Sequence, residues 1–450
     1  MNLAAQRKVP SKKLVVFCDG TWNDLRMPHL TNVARLAKCV AQEDGSGIPQ
    51  VVYYDEGVVV PSNISPTVDR WVSWLGGALG RGLDRKIESA YRFLVLNYSP
   101  HDEIYIFGFS RGAYTARSLC GLIRKCGILK RDCFDQVPAA LDLYRDPRHP
   151  NDAAVVSFRR RYSHRRTTGP EDQTWFGTTK PDEDEIAGFQ PSRRGRAASY
   201  QYRPQDAYQM MYLGVWDTVG SLGLPSNWDP DGSSASRYRF HDTKASSLLS
   251  SIRHAASIDE DRAVFDLTGI DNIFDLNAEW ADQSGWNVDT PANPRFVPYS
   301  DRPYQQKWFA GDHSAVGGGW YSYGLSSAAL VWIAQGAANA GLKFKEDHSN
   351  ELWQASQSIN PISDWRFKLD GTRETVARKD FFTVVGGEKR RQGPQSVDEV
   401  SHTAKQRWFA DSTYRPYNLR ILLTASWPPD TTVSKTSFPA APADLPTHEV

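Results

Sequence analysis

Short apolar segments alternate with helical repeats along most of the chain. Runs rich in β-branched and aromatic residues, each followed by turn residues, predict strands at residues 13–18, 51–54, 103–107, 210–216 and 304–309. Apolar residues at helical spacing predict helices at 32–40, 79–94, 111–125 and 326–340. Strands and helices that alternate in this way are typical of a mostly parallel sheet flanked by helices, so we expect an α/β fold.

Other parts of the chain lack this alternation. Residues 147–204 are polar and rich in Arg, Pro, Gly and Asp, which predicts a surface insertion. Residues 61–77 look irregular, and residues 251–256 look helical. The last segment predicted to be ordered is 412–424, and the Pro-, Ser-, Thr- and Ala-rich residues 426–450 are expected to form a flexible, disordered tail. We therefore expect one domain at 13–425.

Composition indicates a folded protein without a strong charge bias. Of the 450 residues, 40% are hydrophobic and 23% are charged, and the net charge is +1. This overall charge does not favour nucleic acid as a partner. Arginines are concentrated at 159–166 and 193–196. We interpret both clusters as solvated surface, with contact to phosphate groups such as lipid headgroups as the alternative.

Targeting and metal-binding signals are not evident. No segment resembles a secretory signal, and no apolar run is long enough to predict a transmembrane helix. The expected location is therefore the cytoplasm, although export without a leader would leave no mark in the sequence. The five cysteines form no C-x-x-C pair, which argues against a zinc cluster. We expect no metal and no cofactor, and the oligomeric state is left open.

Residues 108–112, Gly-Phe-Ser-Arg-Gly, match the G-x-S-x-G pattern of a nucleophile elbow. The motif directly follows a predicted strand and begins a predicted helix, which is the context that an exposed nucleophilic serine requires. Gly108 and Gly112 leave room for the tight turn, and Ser110 would be the nucleophile. The alternative is a serine that only caps the helix.

A serine hydroxyl needs a base, and the base needs a carboxylate that orients it. Asp217 directly follows a predicted strand and is the candidate acid, although it could instead cap the next turn. His313 follows another predicted strand and is the candidate base. Among the ten histidines, His254 and His241 are the alternatives. Asp312 is a poor partner for His313, because the side chains of consecutive residues diverge.

An acyl-transfer site also needs backbone N–H donors for the oxyanion. The N–H of Arg111 is the first candidate, because a helix N-terminus offers unpaired donors and a positive dipole end. The second candidate is the N–H of Gly20 or Thr21, after the first strand. Asp-Gly-Thr at 19–21 also occurs in phosphatases with an aspartyl nucleophile, but those enzymes need a second Asp where this chain has Phe17.

The chain contains short motifs, one after another, at residues 17–23, 31–33, 80–83, 108–113, 214–220 and 308–319. In these motifs the chain resembles an uncharacterised α/β-hydrolase family that includes the catalytic domain of phospholipase effectors delivered by bacterial type VI secretion. The resemblance extends over about 13–341. It implies an α/β-hydrolase fold, a triad of Ser110, Asp217 and His313, and phospholipase activity.

The leading functional hypothesis is hydrolysis of a carboxylic ester through an acyl-enzyme intermediate, with a lipid or phospholipid as the substrate. Trp71, Trp74 and Leu75 could form an apolar lid that makes peripheral contact with a membrane, or they could be ordinary core residues. One alternative function is hydrolysis of a soluble ester, thioester or amide. Another is a non-catalytic binding module on a hydrolase scaffold.

Overall fold

Six parallel strands form the centre of the molecule. The computed structural model describes residues 12–20, 29–57, 68–169, 171–172, 206–220, 243–319, 323–347, 350–363 and 388–425, with backbone alone for 68–81, 421, 424 and 425. The strands are β1 (Lys13–Cys18), β2 (Gln50–Asp55), β3 (Glu103–Phe109), β4 (Gln209–Trp216), β5 (Ile252–Ser257) and β6 (Tyr304–Phe309). They lie in the order β2-β1-β3-β4-β5-β6, and every neighbouring pair is parallel.

Helices cover both faces of this sheet. In the described chain they are α1 (Asn32–Cys39), α2 (Val68–Asn97), α3 (Arg111–Cys126), α4 (Val137–Arg145), α5 (Ala153–Tyr162), α6 (Ile273–Ser284), α7 (His313–Gly317), α8 (Tyr323–Asn339), α9 (Glu351–Ser358), α10 (His402–Ala410) and α11 (Tyr417–Ala425). Helices α2, α3, α4 and α6 share a core with one face, and α1, α8 and α9 share a core with the other. A third apolar cluster joins α10 and α11 to β5 and β6.

Burial on both faces explains the continuous apolar runs in the sequence. In β1, Leu14 and Val16 belong to one core, whereas Val15 and Phe17 belong to the other. A strand that is covered on both faces has no polar side, so its residues do not alternate. The expected α/β fold with a mostly parallel sheet is therefore confirmed, as are the five strands and the helices at 111–125 and 326–340 within a few residues.

Two expectations about secondary structure were wrong. Residues 61–77 were expected to be irregular, but α2 already begins at Val68, and its glycines at 76, 77, 80 and 82 weaken the helical signal. Residues 251–256 were expected to be helical, but they form most of β5. β5 pairs with β4 on one side and β6 on the other, so hydrogen bonding within the sheet determines its conformation.

The predicted insertion at 147–204 contains an ordered helix, α5, that contacts α3. Arg159 on this helix is completely buried, and its guanidinium lies 2.8 Å from Asp172 Oδ1. Arg166 is also buried, so the interpretation of this cluster as solvated surface was wrong for these two residues. Arg160, Arg161 and Arg165 are exposed. Residues 193–196 and the predicted tail at 426–450 lie outside the described residues.

Candidate active site

The strand β3 ends in a strained turn at Ser110. The backbone of Ser110 has φ 58° and ψ −125°, a region that residues other than glycine rarely adopt. A side chain at Gly108 would collide with the backbone of Gly112, and a side chain at Gly112 would collide with the backbone of Cys18 and Asp19. Both glycines are therefore required by close backbone approach, as a nucleophile elbow demands.

His313 begins the short helix α7, which follows β6 after a bend at Gly311. Asp312 does not orient His313, because its side chain caps the helix by accepting the Ala315 N–H at 2.9 Å. The imidazole packs against two aromatic rings, with ring centroids 4.6 Å from Phe109 and 4.7 Å from Phe265.

The glycines after His313 serve this packing and link it to α1. A side chain at Gly317 would collide with the Phe109 ring that packs on the imidazole. Gly318 has φ 83°, pairs with Thr31 in an isolated β-bridge, and lies too close to the backbone of Asn32 for a side chain. The Asn32 side chain donates to the Val316 carbonyl at 2.9 Å. The motif at 31–33 therefore supports the loop that carries the histidine.

Ser110, His313 and Asp217 form one chain of hydrogen bonds, although 203 residues separate the serine from the histidine. Ser110 Oγ lies 2.8 Å from His313 Nε2, and His313 Nδ1 lies 2.6 Å from Asp217 Oδ2. An ionised carboxylate can only accept, so Nδ1 carries the proton of the neutral ring. His313 Nε2 then accepts the hydrogen bond that the Ser110 hydroxyl donates.

The charges at this site favour a neutral His313 and an ionised Asp217. Burial lowers the pKa of His313 below its ordinary value of 6.5, and the Asp217 carboxylate opposes that effect. Burial also disfavours ionisation of Asp217, but the Arg391 charge and the hydrogen bonds from His313 and Arg391 outweigh it. The pKa of Asp217 is therefore held well below its ordinary value.

Arg391 and Ser257 contact Asp217 but were missed in the sequence. The Ser257 N–H donates to Asp217 Oδ1 at 2.8 Å, and the two terminal nitrogens of Arg391 donate to Oδ1 at 2.6 Å and Oδ2 at 2.9 Å. No signal distinguished Arg391 among the 53 Lys and Arg residues of the chain. Ser257 was missed because residues 251–256 were expected to form a helix rather than a strand that ends beside β4.

The first candidate oxyanion donor lies beside the elbow. Arg111 is the first residue of α3, so its N–H lies at the helix N-terminus, next to Ser110. The N–H of Gly20 donates to Asp19 Oδ1 at 2.6 Å, and Thr21 lies outside the described residues. Burial raises the pKa of Asp19 to about 6, although hydrogen bonds from Thr31, Tyr54 and Gly20 oppose this effect.

His254, the alternative base, is buried inside the sheet and already has partners for both ring nitrogens. Its Nε2 accepts the N–H of Thr218 at 3.3 Å, and its Nδ1 lies 2.9 Å from Gln306 Oε1. Burial and the nearby Arg117 charge lower the pKa of His254 to about 3. His254 therefore contacts Thr218, the residue after Asp217, and Gln306 on the neighbouring strand β6. His241, the other alternative, lies outside the described residues.

In the described parts of the chain, no group of three or more His, Cys, Asp or Glu side chains could hold a metal ion. Likewise, none of the helices in those parts is both long and apolar enough to span a bilayer. The side chains of Trp71, Trp74 and Leu75, which were considered as a lid, lie outside the described residues.

Most of the chain matches one protein-family model. Residues 12–336 match the model described as T6SS, phospholipase effector Tle1-like, catalytic domain. The chain belongs to this family. The match includes β1 to β6 and Ser110, Asp217 and His313, whereas Arg391 lies beyond it. At the level of the family, the activity is hydrolysis of lipid esters.

Individual relatives are distant. An uncharacterised protein of Saccharomyces cerevisiae is 23% identical, over 78% of this chain and 61% of the yeast protein. A crystal structure of an uncharacterised protein from Pseudomonas aeruginosa is 19% identical, with a TM-score of 0.34 over 78% of this chain and 49% of the other. The Tle1 effector bound to the VgrG spike from the type VI secretion system is 14% identical, with a TM-score of 0.28 over 70% and 53%. The chain thus spans about three fifths of the yeast protein and about half of each solved chain.

Proposed function

We propose that this chain is a serine hydrolase that cleaves a carboxylic ester of a phospholipid through an acyl-enzyme intermediate. The observation that supports the mechanism best is the hydrogen-bond chain at the elbow, in which Ser110 Oγ lies 2.8 Å from His313 Nε2 and His313 Nδ1 lies 2.6 Å from Asp217. These are the distances over which a base can take a proton from a nucleophile and a carboxylate can stabilise the resulting imidazolium.

In the first half of the reaction, Ser110 Oγ attacks the ester carbonyl carbon while His313 Nε2 takes the hydroxyl proton. The carbonyl oxygen becomes an oxyanion, for which the N–H of Arg111 is the proposed donor. The tetrahedral intermediate then collapses, the bond to the leaving alcohol breaks, and His313 returns its proton to that alcohol. In the second half, water attacks the carbonyl carbon of the acyl-enzyme while His313 takes one of its protons. The second tetrahedral intermediate then collapses, the bond between the acyl carbon and Ser110 Oγ breaks, and His313 passes the proton from water to Oγ as the carboxylic acid leaves.

The assignment of the substrate rests on the family. Its description names phospholipase effectors, and effectors of that kind act on lipid esters, so a phospholipid is the proposed substrate of this chain. The site itself suits any acyl ester, since the triad and the Arg111 N–H act on the carbonyl group and not on the rest of the molecule.

The mechanism is tested by labelling with a fluorophosphonate probe, which reacts with activated serines. Wild type is expected to be labelled, Ser110→Ala is expected to lose the label, and Ser118→Ala is a control on the same helix, where the serine is buried away from the elbow. Equal labelling of wild type and Ser110→Ala would contradict the mechanism. A folded wild type that takes no label would instead favour a non-catalytic binding module.

The substrate is tested with the same three proteins. Release of fatty acid from phospholipid vesicles, followed by mass spectrometry, is expected for wild type and Ser118→Ala but not for Ser110→Ala. Turnover of monomeric short-chain esters without any release from vesicles would contradict the lipid assignment and favour a soluble ester as substrate.

A further inference from the structure

Arg391 lies beyond the residues that match the family, yet it contacts the proposed triad. We propose that Arg391 is a positioning residue of the triad, whose guanidinium holds the Asp217 carboxylate in the orientation that accepts the His313 Nδ1–H. This inference rests on the proposed function, because it assigns a role within the same site.

The guanidinium binds both carboxylate oxygens at once. Nη1 donates to Asp217 Oδ1 at 2.6 Å and Nη2 donates to Oδ2 at 2.9 Å. A paired contact of this kind fixes the plane of the carboxylate as well as its position, which a single point charge does not do. Oδ2, which receives the His313 proton donor, therefore has a defined direction.

The arginine is itself held in place by the strand end and loop that surround the acid. Nη1 also donates to the Ser257 carbonyl at 3.1 Å and to Ser257 Oγ at 3.0 Å, and Nη2 donates to the Phe265 carbonyl at 2.5 Å. The Phe265 ring packs on the imidazole of His313. With only 3% of its side chain exposed, Arg391 joins the two elements that flank the Asp217–His313 pair.

Backbone contacts on either side of Arg391 bring it to this position. Arg262 and Glu388 form an isolated β-bridge, and the N–H of Lys389 donates to the Asp261 carbonyl at 2.7 Å. Further along, Val400 bridges to Trp308 of β6. The segment that carries Arg391 is thus attached both to the loop after β5 and to the outer strand of the sheet.

The guanidinium also affects the base through its charge. The charged groups that face His313 are Asp217 and Glu260, which favour its protonation, and Arg391, which disfavours it. Glu260 accepts the backbone N–H of His313 at 3.1 Å and is itself paired with Arg262. Loss of the Arg391 charge is therefore expected to make the His313–Asp217 pair bind its proton more tightly.

The test compares Arg391→Met and Arg391→Lys with Arg390→Met and Arg390→Lys. Arg390 is a matched control, because it is the adjacent residue but is exposed and packs over the Tyr417 ring, 4.9 Å from its centroid. For each protein, the maximal rate of fluorophosphonate labelling, the probe concentration at half of that rate and the pH profile are measured. The downfield Nδ1–H proton resonance of His313 reports the hydrogen bond to Asp217 without any reaction.

Arg391→Met is expected to lower the maximal labelling rate about 100-fold without changing the half-saturating probe concentration, because the residue does not touch the probe. The acidic limb of its pH profile, where the labelling rate falls as the pH decreases, is expected to move up by about one pH unit, because a nearby positive charge has been removed. Arg391→Lys keeps the charge but binds only one oxygen, so its rate falls while its acidic limb stays close to that of wild type. Both changes shift the His313 proton resonance.

The proposal would be overturned if the Arg391 variants matched the Arg390 variants in maximal labelling rate, in pH profile and in the His313 proton resonance. If Arg391→Met does not fold, Arg391→Lys decides: a lower maximal rate supports positioning, and a rate equal to Arg390→Lys contradicts it. A wild type that is not labelled at Ser110 would refute the proposed function instead. The His313 resonance would then still decide whether Arg391 positions Asp217.

Discussion

Ser110 and Asp217, two residues of the proposed triad, have strained backbone. They have φ angles of 58° and 37°, and they are two of the three non-glycine residues with positive φ in the described chain. Each such position costs about 1–3 kcal/mol and persists only where the surroundings enforce it. Here neighbouring strands do so, since the Ser110 N–H donates to the Trp216 carbonyl at 3.0 Å and the Asp217 N–H to the Ala255 carbonyl at 2.7 Å. The sheet therefore stabilises turns that aim both side chains at His313.

The pH dependence of labelling belongs to this residue scale. Burial lowers the pKa of His313 below 6.5. The base must be neutral to accept a proton, so the rate is expected to fall as the pH decreases through the apparent pKa of the His313–Asp217 pair, with a midpoint below pH 6.5. Labelling rates of wild type over about pH 4–9, corrected for reaction of the probe without protein, measure this midpoint. A midpoint above the ordinary pKa of histidine would contradict the buried, neutral base.

At the scale of elements, β5 shows how the surroundings override local preference. Its residues Ile252–Ser257 are all buried, so no polar side gives an alternating pattern, and the Arg and Ala residues in the segment favour helices. Pairing with β4 and β6 imposes the extended conformation. As a strand residue, His254 reaches the turn after Asp217, where its Nε2 accepts the N–H of Thr218.

His254 is expected to stabilise the fold rather than act as the base. In His254→Leu, the N–H of Thr218 and the side chain of Gln306 lose a buried partner, which is expected to lower the free energy of unfolding by about 2 kcal/mol. His149→Leu is the control, because His149 is exposed. Denaturant titration measures both changes, and Ser110 labelling of folded His254→Leu is expected to persist. Unchanged stability together with lost labelling would return His254 to the role of base.

At the scale of the whole molecule, the part of the chain beyond the family match contributes to the core. Trp408, Tyr414 and Leu419 are buried against residues of β5 and β6, and Val400 and Ser401 contact Trp308 on the outer strand. This segment covers an edge that would otherwise present unpaired backbone groups. It also supplies Arg391, so the same chain segment serves both stability and the candidate site.

A pair of truncated chains tests this arrangement. A chain that ends at residue 425 is expected to keep the unfolding midpoint and labelling of the full chain. A chain that ends at 387 loses the burial of several large side chains, each worth about 1.5–3 kcal/mol, and is expected to lose cooperative unfolding. Thermal unfolding followed by circular dichroism measures both. If the chain ending at 387 unfolds at the same temperature as the full chain, residues 388–425 do not belong to the domain core.

The sequence by itself determined those features that depend on neighbours along the chain. Apolar runs and helical spacing indicated the α/β fold and most of its strands, and the glycines around Ser110 indicated the elbow, because a tight turn between strand and helix restricts residue type locally. The order of strands and motifs also suggested Asp217 and His313 as partners. The expected single domain at 13–425 and the catalytic roles of these residues stay predictions.

Only the tertiary structure decided the rest. Arg391 lies 174 residues from Asp217 along the chain, and nothing in its own neighbourhood marks it as a partner of a buried carboxylate. The burial of Arg159 and the strand conformation of β5 likewise depend on distant segments that pack around them. Local preference acts between residues a few positions apart, whereas charge pairing and sheet hydrogen bonds act between whichever segments the fold brings together.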